Sequence, residues 1–209
     1  MDLHRLDKKT GSDRRLERLK PDKGAREKFN DMHVALLRGI NVGGKNRLPM
    51  KELAAMFRGV GCSDIQTYIQ SGNVVFRAEA ALARRVPALI TGAIWAGFGL
   101  KVPVVTRTGD EIAAVAANNP FLTAGVDPKI LHVAFLMDRP DPSSIAALDP
   151  DRSPPDVFSV RGGEIYLRCP NGVARSRLTA QYFDSTLKTT STARNWNTVL
   201  ALLELACGG

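Results

Sequence analysis

The chain has 209 residues, and 44% of them are hydrophobic, so it can bury one sizeable core or two small ones. Its three cysteines are far apart, with no Cys-x-x-Cys pair and no clustered histidine. This excludes a disulfide framework or a zinc site, and neither a metal nor a cofactor is expected. A charged N-terminus without an apolar signal region, and apolar runs too short to span a bilayer, favour a soluble cytoplasmic protein without a membrane partner.

The net charge of +8 is unevenly distributed. Residues 32–108 hold 10 basic and 3 acidic side chains, a net +7, whereas residues 109–209 hold 9 and 11, a net −2. Such asymmetry favours anionic partners through electrostatic steering. Residues 1–31 alternate acidic and basic groups with few apolar anchors, which predicts a charged, disordered N-terminal extension. It is either a tail that binds nucleic acid or, as we favour, an upstream extension with Met32 as the working start.

The first predicted unit covers residues 32–108 and has the order βαββαβ. A buried strand at 33–38 precedes a helix that Pro49 opens. Alternation predicts a strand at 65–70, and a turn at 71–73 leads into the third strand. The other predicted elements are a mainly helical stretch at 78–98, interrupted at Pro87 and Gly92, and a strand at 102–107. This order is that of ferredoxin-like folds.

The second predicted unit covers residues 109–209 and is a looser α+β arrangement. The predicted elements are helices at 110–117 and 143–148, a strand at 130–137, and a hairpin with strands at 157–160 and 164–168 around Arg161-Gly162-Gly163. Thr192 is expected to cap a C-terminal helix that holds Arg194 and Asn195 in its first turn. We interpret this unit as a second, degenerate ferredoxin-like subdomain, although no residue-level repeat supports a duplication.

The loop after the first strand is the first candidate site. Gly39 to Asn46 nearly matches the phosphate-loop pattern GxxxxGK[ST], but Asn46 stands where a hydroxyl would bind magnesium, and the helix is delayed until Pro49. Either the loop grips a phosphate or carboxylate through cations and glycine amides, or it is a tight turn that needs positive φ. The candidate ligand-binding residues here are Arg38, Asn41, Gly43, Gly44, Lys45 and Arg47.

Two further segments are candidates for the same site. Gln70 shares a predicted strand face with Gln66 and Tyr68, and Ser71 and Asn73 can donate from the following turn. The alternative is an ordinary hairpin with a solvated sheet face. In the C-terminal segment, a cation at a helix N-terminus opposes the dipole, so Arg194, with Asn195 beside it, is expected to reach a ligand or a carboxylate. The alternative is an ion pair beside a core Trp196.

Catalytic motifs are absent from the sequence. It contains no HExxH, no GxSxG and no convincing carboxylate pair, and His33 and His132 lie in apolar strands. No catalytic residue is assigned, and whether the protein is an enzyme stays open.

Three segments resemble a known bacterial family, the domain of unknown function 1697. They are VALLRGINVGGKN from Val34, TYIQSGNVVF from Thr67 and ARNWNTV from Ala193, and the resemblance extends over about residues 32–206. It implies an α+β protein with two ferredoxin-like subdomains. It supplies no substrate, cofactor or catalytic residue.

Two functions follow from these patterns. The first is binding, or action on, a small phosphorylated or carboxylated ligand in a cleft between the subdomains. There Arg38 and Lys45 would hold the anion, Gln70 and Asn73 would orient it, and Arg194 would close from the far side, which requires the three segments to converge. The alternative is a salt-sensitive nucleic-acid or polyanion binding module on the basic first subdomain, although the aromatics with which RNA-recognition domains stack bases are missing. The oligomeric state is not predicted.

Overall fold

The computed structural model describes residues 31–207, so the predicted extension lies outside the described residues except for Asp31. Eight strands and seven helices form this part of the chain. They are β1 (Met32–Leu37), α1 (Met50–Gly59), β2 (Ser63–Tyr68), β3 (Asn73–Arg77), α2 (Ala80–Ala83), α3 (Val86–Phe98), β4 (Val104–Thr108), α4 (Gly109–Ala117), β5 (Leu131–Leu136), α5 (Pro142–Ala146), β6 (Val157–Arg161), β7 (Glu164–Arg168), α6 (Ala180–Leu187), β8 (Ser191–Asn195) and α7 (Trp196–Cys207).

The strands form two four-stranded antiparallel sheets. The strand orders are β2-β3-β1-β4 and β6-β7-β5-β8, so the first strand of each half is paired with the third and fourth strands of that half. The predicted α+β class is therefore confirmed. None of the helices in residues 31–207 is both long enough and apolar enough to span a bilayer.

One strand of the first sheet and one strand of the second are also similar in amino-acid sequence. β1 reads MHVALL and β5 reads LHVAFL, so His33 and His132 take the same place in their strands. Val34 pairs with Arg107, and Val133 pairs with Arg194, each pair joining the first and last strands of its sheet. The expectation that no residue-level repeat exists was wrong. The match is confined to a short strand, and the neighbouring strand sequences have diverged.

The core is divided between the two faces of each sheet. α1 and α3 cover the outer face of the first sheet, and α5 and α6 cover the outer face of the second. The inner faces of both sheets pack on α4 and α7, which lie between them in one continuous apolar cluster. The protein is thus built in five layers. The inner face of the first sheet is dry, as its residues Val34, Leu36, Val75 and Val105 are each at most 3% exposed.

The C-terminal segment differs from its prediction. Ser191–Asn195 is strand β8, so Thr192 is not a helix cap, and Arg194 and Asn195 do not lie in a helical turn. Pairing along β5 prevails here because it satisfies a row of backbone groups that would otherwise be unpaired at a sheet edge. The cap of α7 is instead Asn195, whose side-chain Oδ1 accepts from the N–H of Asn197 at 3.0 Å.

Two other boundaries differ from the predictions. β2 ends at Tyr68, and Ile69–Gly72 form a turn, so Gln70 does not share a strand face with Tyr68. The stretch 78–98 breaks at Arg84-Arg85 rather than at Gly92, because Pro87 fits the first turn of α3. Helix α6, capped by Thr179, was not predicted, whereas the hairpin at 157–168 is confirmed.

Candidate functional site

The loop after β1 folds into a small exposed hairpin. The Asn41 N–H donates to the Asn46 carbonyl at 3.1 Å, and the Lys45 N–H donates to the Val42 carbonyl at 3.1 Å. Gly43 and Gly44 at the tip have φ of 59° and 75°, the pair of positive φ angles that a type I′ turn requires. The loop is therefore a hairpin and does not wrap toward the N-terminus of α1 as a phosphate loop would.

Side chains of the same loop anchor it to its neighbours. Asn41 donates to the carbonyls of Leu48 and Gln70, both at 2.9 Å, and accepts from the Leu48 N–H. Asn46 donates to the Gly39 carbonyl at 2.9 Å. Turn chemistry thus accounts for the asparagines and glycines of this loop.

The three cations of the loop differ in their partners. Arg38 forms an ion pair with Asp184 on α6, which links the two halves of the protein. Lys45 and Arg47 are exposed, and their side chains form no hydrogen bond or ion pair with the described residues. Only these two cations of the loop therefore keep their donors for an external partner.

Arg194 is the centre at which the three predicted segments meet. It extends from β8 and is 7% exposed, and burial lowers its pKa to about 10. All five of its N–H groups have acceptors, which exhausts what an arginine can donate. The acceptors are Asn73 Oδ1, Thr192 Oγ1 at 2.8 Å, and the carbonyls of Ala193 at 2.8 Å, Leu37 at 2.7 Å, Ser71 at 3.2 Å and Gly72 at 3.2 Å.

Of the other predicted residues, Ser71 and Asn73 belong to this junction, whereas Asn195 bonds to the start of β5. Asn73 is fully buried, and its Nδ2 donates to the Tyr68 carbonyl and to Ser71 Oγ at 3.1 and 3.0 Å. Asn195 donates to the carbonyls of Lys129 and Leu131 at 3.1 and 3.3 Å. The three segments therefore converge, but their polar groups are used to join β1, the β2–β3 turn and β8.

Gly72 lets these segments approach closely. Its φ is +76°, and a Cβ there would lie 2.7 Å from Leu37 Cβ and 2.9 Å from Ile40 Cδ1. The Leu37 N–H donates to the Gly72 carbonyl at 2.8 Å. No residue with a side chain fits this contact without displacing β1.

Arg107 makes the reciprocal contact from the first half into the second. It extends from β4, the strand equivalent to β8, and its Nε donates to Glu164 Oε1 at 2.8 Å. Its Nη2 donates to the carbonyls of Leu136 and Gly163 at 2.8 and 3.1 Å. Leu136 ends β5 as Leu37 ends β1, and Gly163 precedes β7 as Gly72 precedes β3.

The same arrangement of strands and arginine thus occurs twice in the molecule, once around Arg194 and once around Arg107. We call the two sets of residues the first corner and the second corner, and their residues correspond in the order in which they are named. The first corner is Leu37, Tyr68, Gly72, Asn73 and Arg194, and the second is Leu136, Arg161, Gly163, Glu164 and Arg107.

The second corner opens into a cleft of about 500 Å³. It lies between α4 and the β6–β7 hairpin, with Arg107 on its wall. Its other polar side chains are Glu111, Asn118, Arg139, Arg161 and Glu164, and its apolar lining comes from Ala114, Val115, Leu136, Met137 and Tyr166.

The acidic groups of the cleft are engaged by the protein. Glu164 pairs with Arg107, and Glu111 accepts from the Thr108 N–H at 2.7 Å as part of the capping box of α4. The Arg161 side chain donates only to the Asn118 carbonyl, at 3.0 Å, and the Arg139 side chain forms no hydrogen bond or ion pair within residues 31–207. The lining holds three arginines and two glutamates, a net charge of +1, and the donors left free belong to Arg139 and Arg161.

Sequence reasoning missed Arg107, Arg139 and Arg161. The available signal was the similarity of the β1 and β5 sequences. Aligning these two strands would have shown that the residues around Arg107 correspond to those around Arg194. Arg161 was noted only as part of a turn, and Arg139 follows a strand without any motif around it.

The fold places the chain among α+β proteins with two four-stranded antiparallel sheets. The family model described as "Protein of unknown function (DUF1697)" matches residues 31–166, and the chain belongs to this family. The predicted resemblance is confirmed over that range, while the segment from Ala193 lies beyond it.

Among solved structures, the chain is similar to the conserved bacterial protein SP0830 from Streptococcus pneumoniae. The similarity has a TM-score of 0.63 at 19% sequence identity and covers 84% of this chain and 98% of that chain. At this identity the similarity concerns the fold. No curated protein gives a significant match to the chain.

Proposed function

We propose that the protein binds a small phosphorylated or carboxylated ligand in the second corner. The observation that carries this proposal is that Arg139, whose side chain has no partner among the described residues, lines the same cleft as Arg161, where the two carboxylates accept from Arg107 and from the Thr108 N–H. Arginines with free donors bind carboxylate and phosphate oxygens through paired N–H groups.

The geometry of the hairpin supports the same proposal. A Cβ on Gly162 would lie 3.3 Å from Arg139 Nη2, so the guanidinium lies against the turn that leads from β6 to β7. Arg161 closes β6 at the same turn. An anion between these two arginines would meet donors from two segments of the second half, while Arg107 contributes positive charge from the first.

The nucleic-acid alternative takes a different form from that of RNA-recognition domains. Those domains stack bases on an open sheet, whereas the inner face of the first sheet here is covered by α4 and α7. The observation that keeps the alternative is the exposed hairpin with Lys45 and Arg47. Contacts from these cations would be made to the nucleic-acid backbone and would weaken with salt.

For the architecture, we propose two ferredoxin-like subdomains at residues 32–108 and 109–209. The repeated strand order and the repeated βαββαβ succession support this assignment. The three cysteines are free, which supports a reducing, cytoplasmic setting.

Anion binding is tested by thermal unfolding of the full chain with inorganic phosphate and with acetate. We expect the melting midpoint to rise with ligand, by the equivalent of about 2.7 kcal/mol at a hundredfold excess over Kd. Arg139→Ala should abolish the rise. Arg175→Ala is the matched control, because Arg175 is exposed and does not line the cleft. An equal rise in wild type and Arg139→Ala contradicts the proposal.

A further inference from the structure

We infer that the ligand of the second corner is an amphipathic anion: an anionic group attached to a flat apolar body about the size of a tyrosine side chain. This inference rests on the proposed function and specifies the chemistry of the same site. It comes from comparing what occupies the two corners.

In the first corner the protein fills the space itself. Tyr68 is partly buried and packs against the central apolar cluster, as does Leu205 at the outer end of α7. The equivalent residues of the second corner are Arg161, opposite Glu164 in the hairpin, and Asn118, which ends α4. An aromatic ring and an aliphatic side chain are thus replaced by two polar, exposed residues, and the space is left open.

The inner wall of the second corner nevertheless remains apolar. Val115 is 3% exposed, Leu136 is 1% exposed and Tyr166 is 2% exposed, and all three line the cleft. Tyr166 donates its hydroxyl to the Val115 carbonyl at 3.3 Å, and burial raises its pKa to about 12, so its ring stays neutral. Met137 lies at the rim and is 44% exposed, which is high for a large apolar side chain.

The arginines and the apolar residues of the cleft favour different chemical groups, and one ligand can carry both. A compact anion such as phosphate can satisfy Arg139 and Arg161 but leaves the exposed apolar lining, Ala114 and Met137, in water. An apolar body seated on these two side chains is itself removed from water and covers them, and each buried CH₂ contributes about 0.8 kcal/mol. An anion joined to a ring or a branched aliphatic group uses both parts of the cleft.

The test is calorimetric titration of the full chain with benzoate, acetate and inorganic phosphate. We expect benzoate to bind at least about tenfold more tightly than acetate, a difference of about 1.4 kcal/mol. Arg161→Tyr restores the residue type of the first corner and should abolish benzoate binding by filling the space. Arg175→Tyr is the matched control at an exposed position outside the cleft and should bind benzoate like wild type.

A second variant protects the test if Arg161→Tyr fails to fold. Met137→Ala removes the exposed apolar rim and should weaken benzoate several-fold while leaving acetate unchanged. If acetate or phosphate binds wild type as tightly as benzoate, the ligand is a compact anion, and this inference fails while the proposed function stands. If none of the three anions binds wild type, both fail.

Discussion

The two corners have the same arrangement of strands, but the protein fills the first and leaves a cleft in the second. In the first, every N–H group of Arg194 donates to the protein, Asn73 is fully buried, and Tyr68 packs against the central apolar cluster. In the second, Arg107 donates to the equivalent carbonyls, but the neighbouring Arg161 and Asn118 are exposed and a cleft remains. A repeated junction can therefore be completed by the protein in one copy and left incomplete in the other, and the incomplete copy is where a ligand can bind.

The residue bonded to each arginine Nε follows the same division. In the buried corner it is the neutral Asn73, whereas in the open corner it is the ionised Glu164, which forms a salt bridge. Burial of the arginine without a carboxylate lowers the pKa of Arg194 to about 10, although backbone carbonyls surround it. In the open corner, the side chains of Arg107 and Glu164 are only 12% and 16% exposed, so each charge is compensated mainly by the other.

Removal of the buried arginine gives the largest expected effect on stability. Arg194→Ala removes the donor to the buried Asn73 Oδ1 and the closest donor to the Leu37 carbonyl, and should lower the free energy of unfolding by about 3–5 kcal/mol. Arg107→Ala should lower it by only about 1–3 kcal/mol, because the groups it leaves border the cleft, from which water can replace its hydrogen bonds. Urea denaturation of both variants measures the difference. Equal losses would contradict the distinction between the corners.

The two corner glycines give the next largest effect. Gly72→Ala combines a positive φ with a Cβ 2.7 Å from Leu37 Cβ, and should destabilise by about 2–4 kcal/mol. Gly163→Ala should cost about 1 kcal/mol, because its φ is not positive and its Cβ would meet only the guanidinium end of the Arg107 side chain, 3.0 Å from Nη2. The shift of the urea midpoint compares them. If Gly163→Ala proves as damaging as Gly72→Ala, then the second corner is packed as tightly as the first.

The smallest expected effect concerns the pH dependence of stability and comes from His33 and His132, which occupy equivalent positions in β1 and β5. Burial lowers the pKa of His33 and of His132 below the ordinary value of 6.5. The unfolded chain therefore takes up protons first, so stability is complete above that value and falls as the pH drops toward the folded pKa. The limiting slope is about 1.4 kcal/mol per pH unit for each histidine.

Urea unfolding at about pH 7.5 and about pH 5.5 measures this loss. The double variant His33→Gln, His132→Gln should lose less stability between the two conditions than wild type. An unchanged pH dependence in the double variant would show that carboxylates alone are responsible.

The sequence predicted the class of fold, because apolar periodicity and turn residues act locally, whereas the convergence of the three segments was only a condition of the cleft hypothesis. It misplaced Arg194 because a strand that completes a distant sheet edge cannot be recognised from five residues, Ser191–Asn195, with one β-branched side chain among them. The cleft could not be predicted from the sequence because Arg139 and Arg161 belong to no motif. Their role depends on how few of their N–H groups bond to the described residues, which only the structure shows. The first corner was visible in sequence because its close packing restricts residue choice, as Gly72 shows.

The central claim is that the second corner binds an anion and the first does not. Backbone amide chemical-shift mapping of the wild-type chain during a benzoate titration tests it without any substitution. We predict that the largest shifts fall at Arg139 and at Arg161 to Glu164, with those of Val42 to Arg47 and of Gly72 unchanged. Shifts concentrated in the Asn41–Asn46 hairpin or around Gly72 would contradict it.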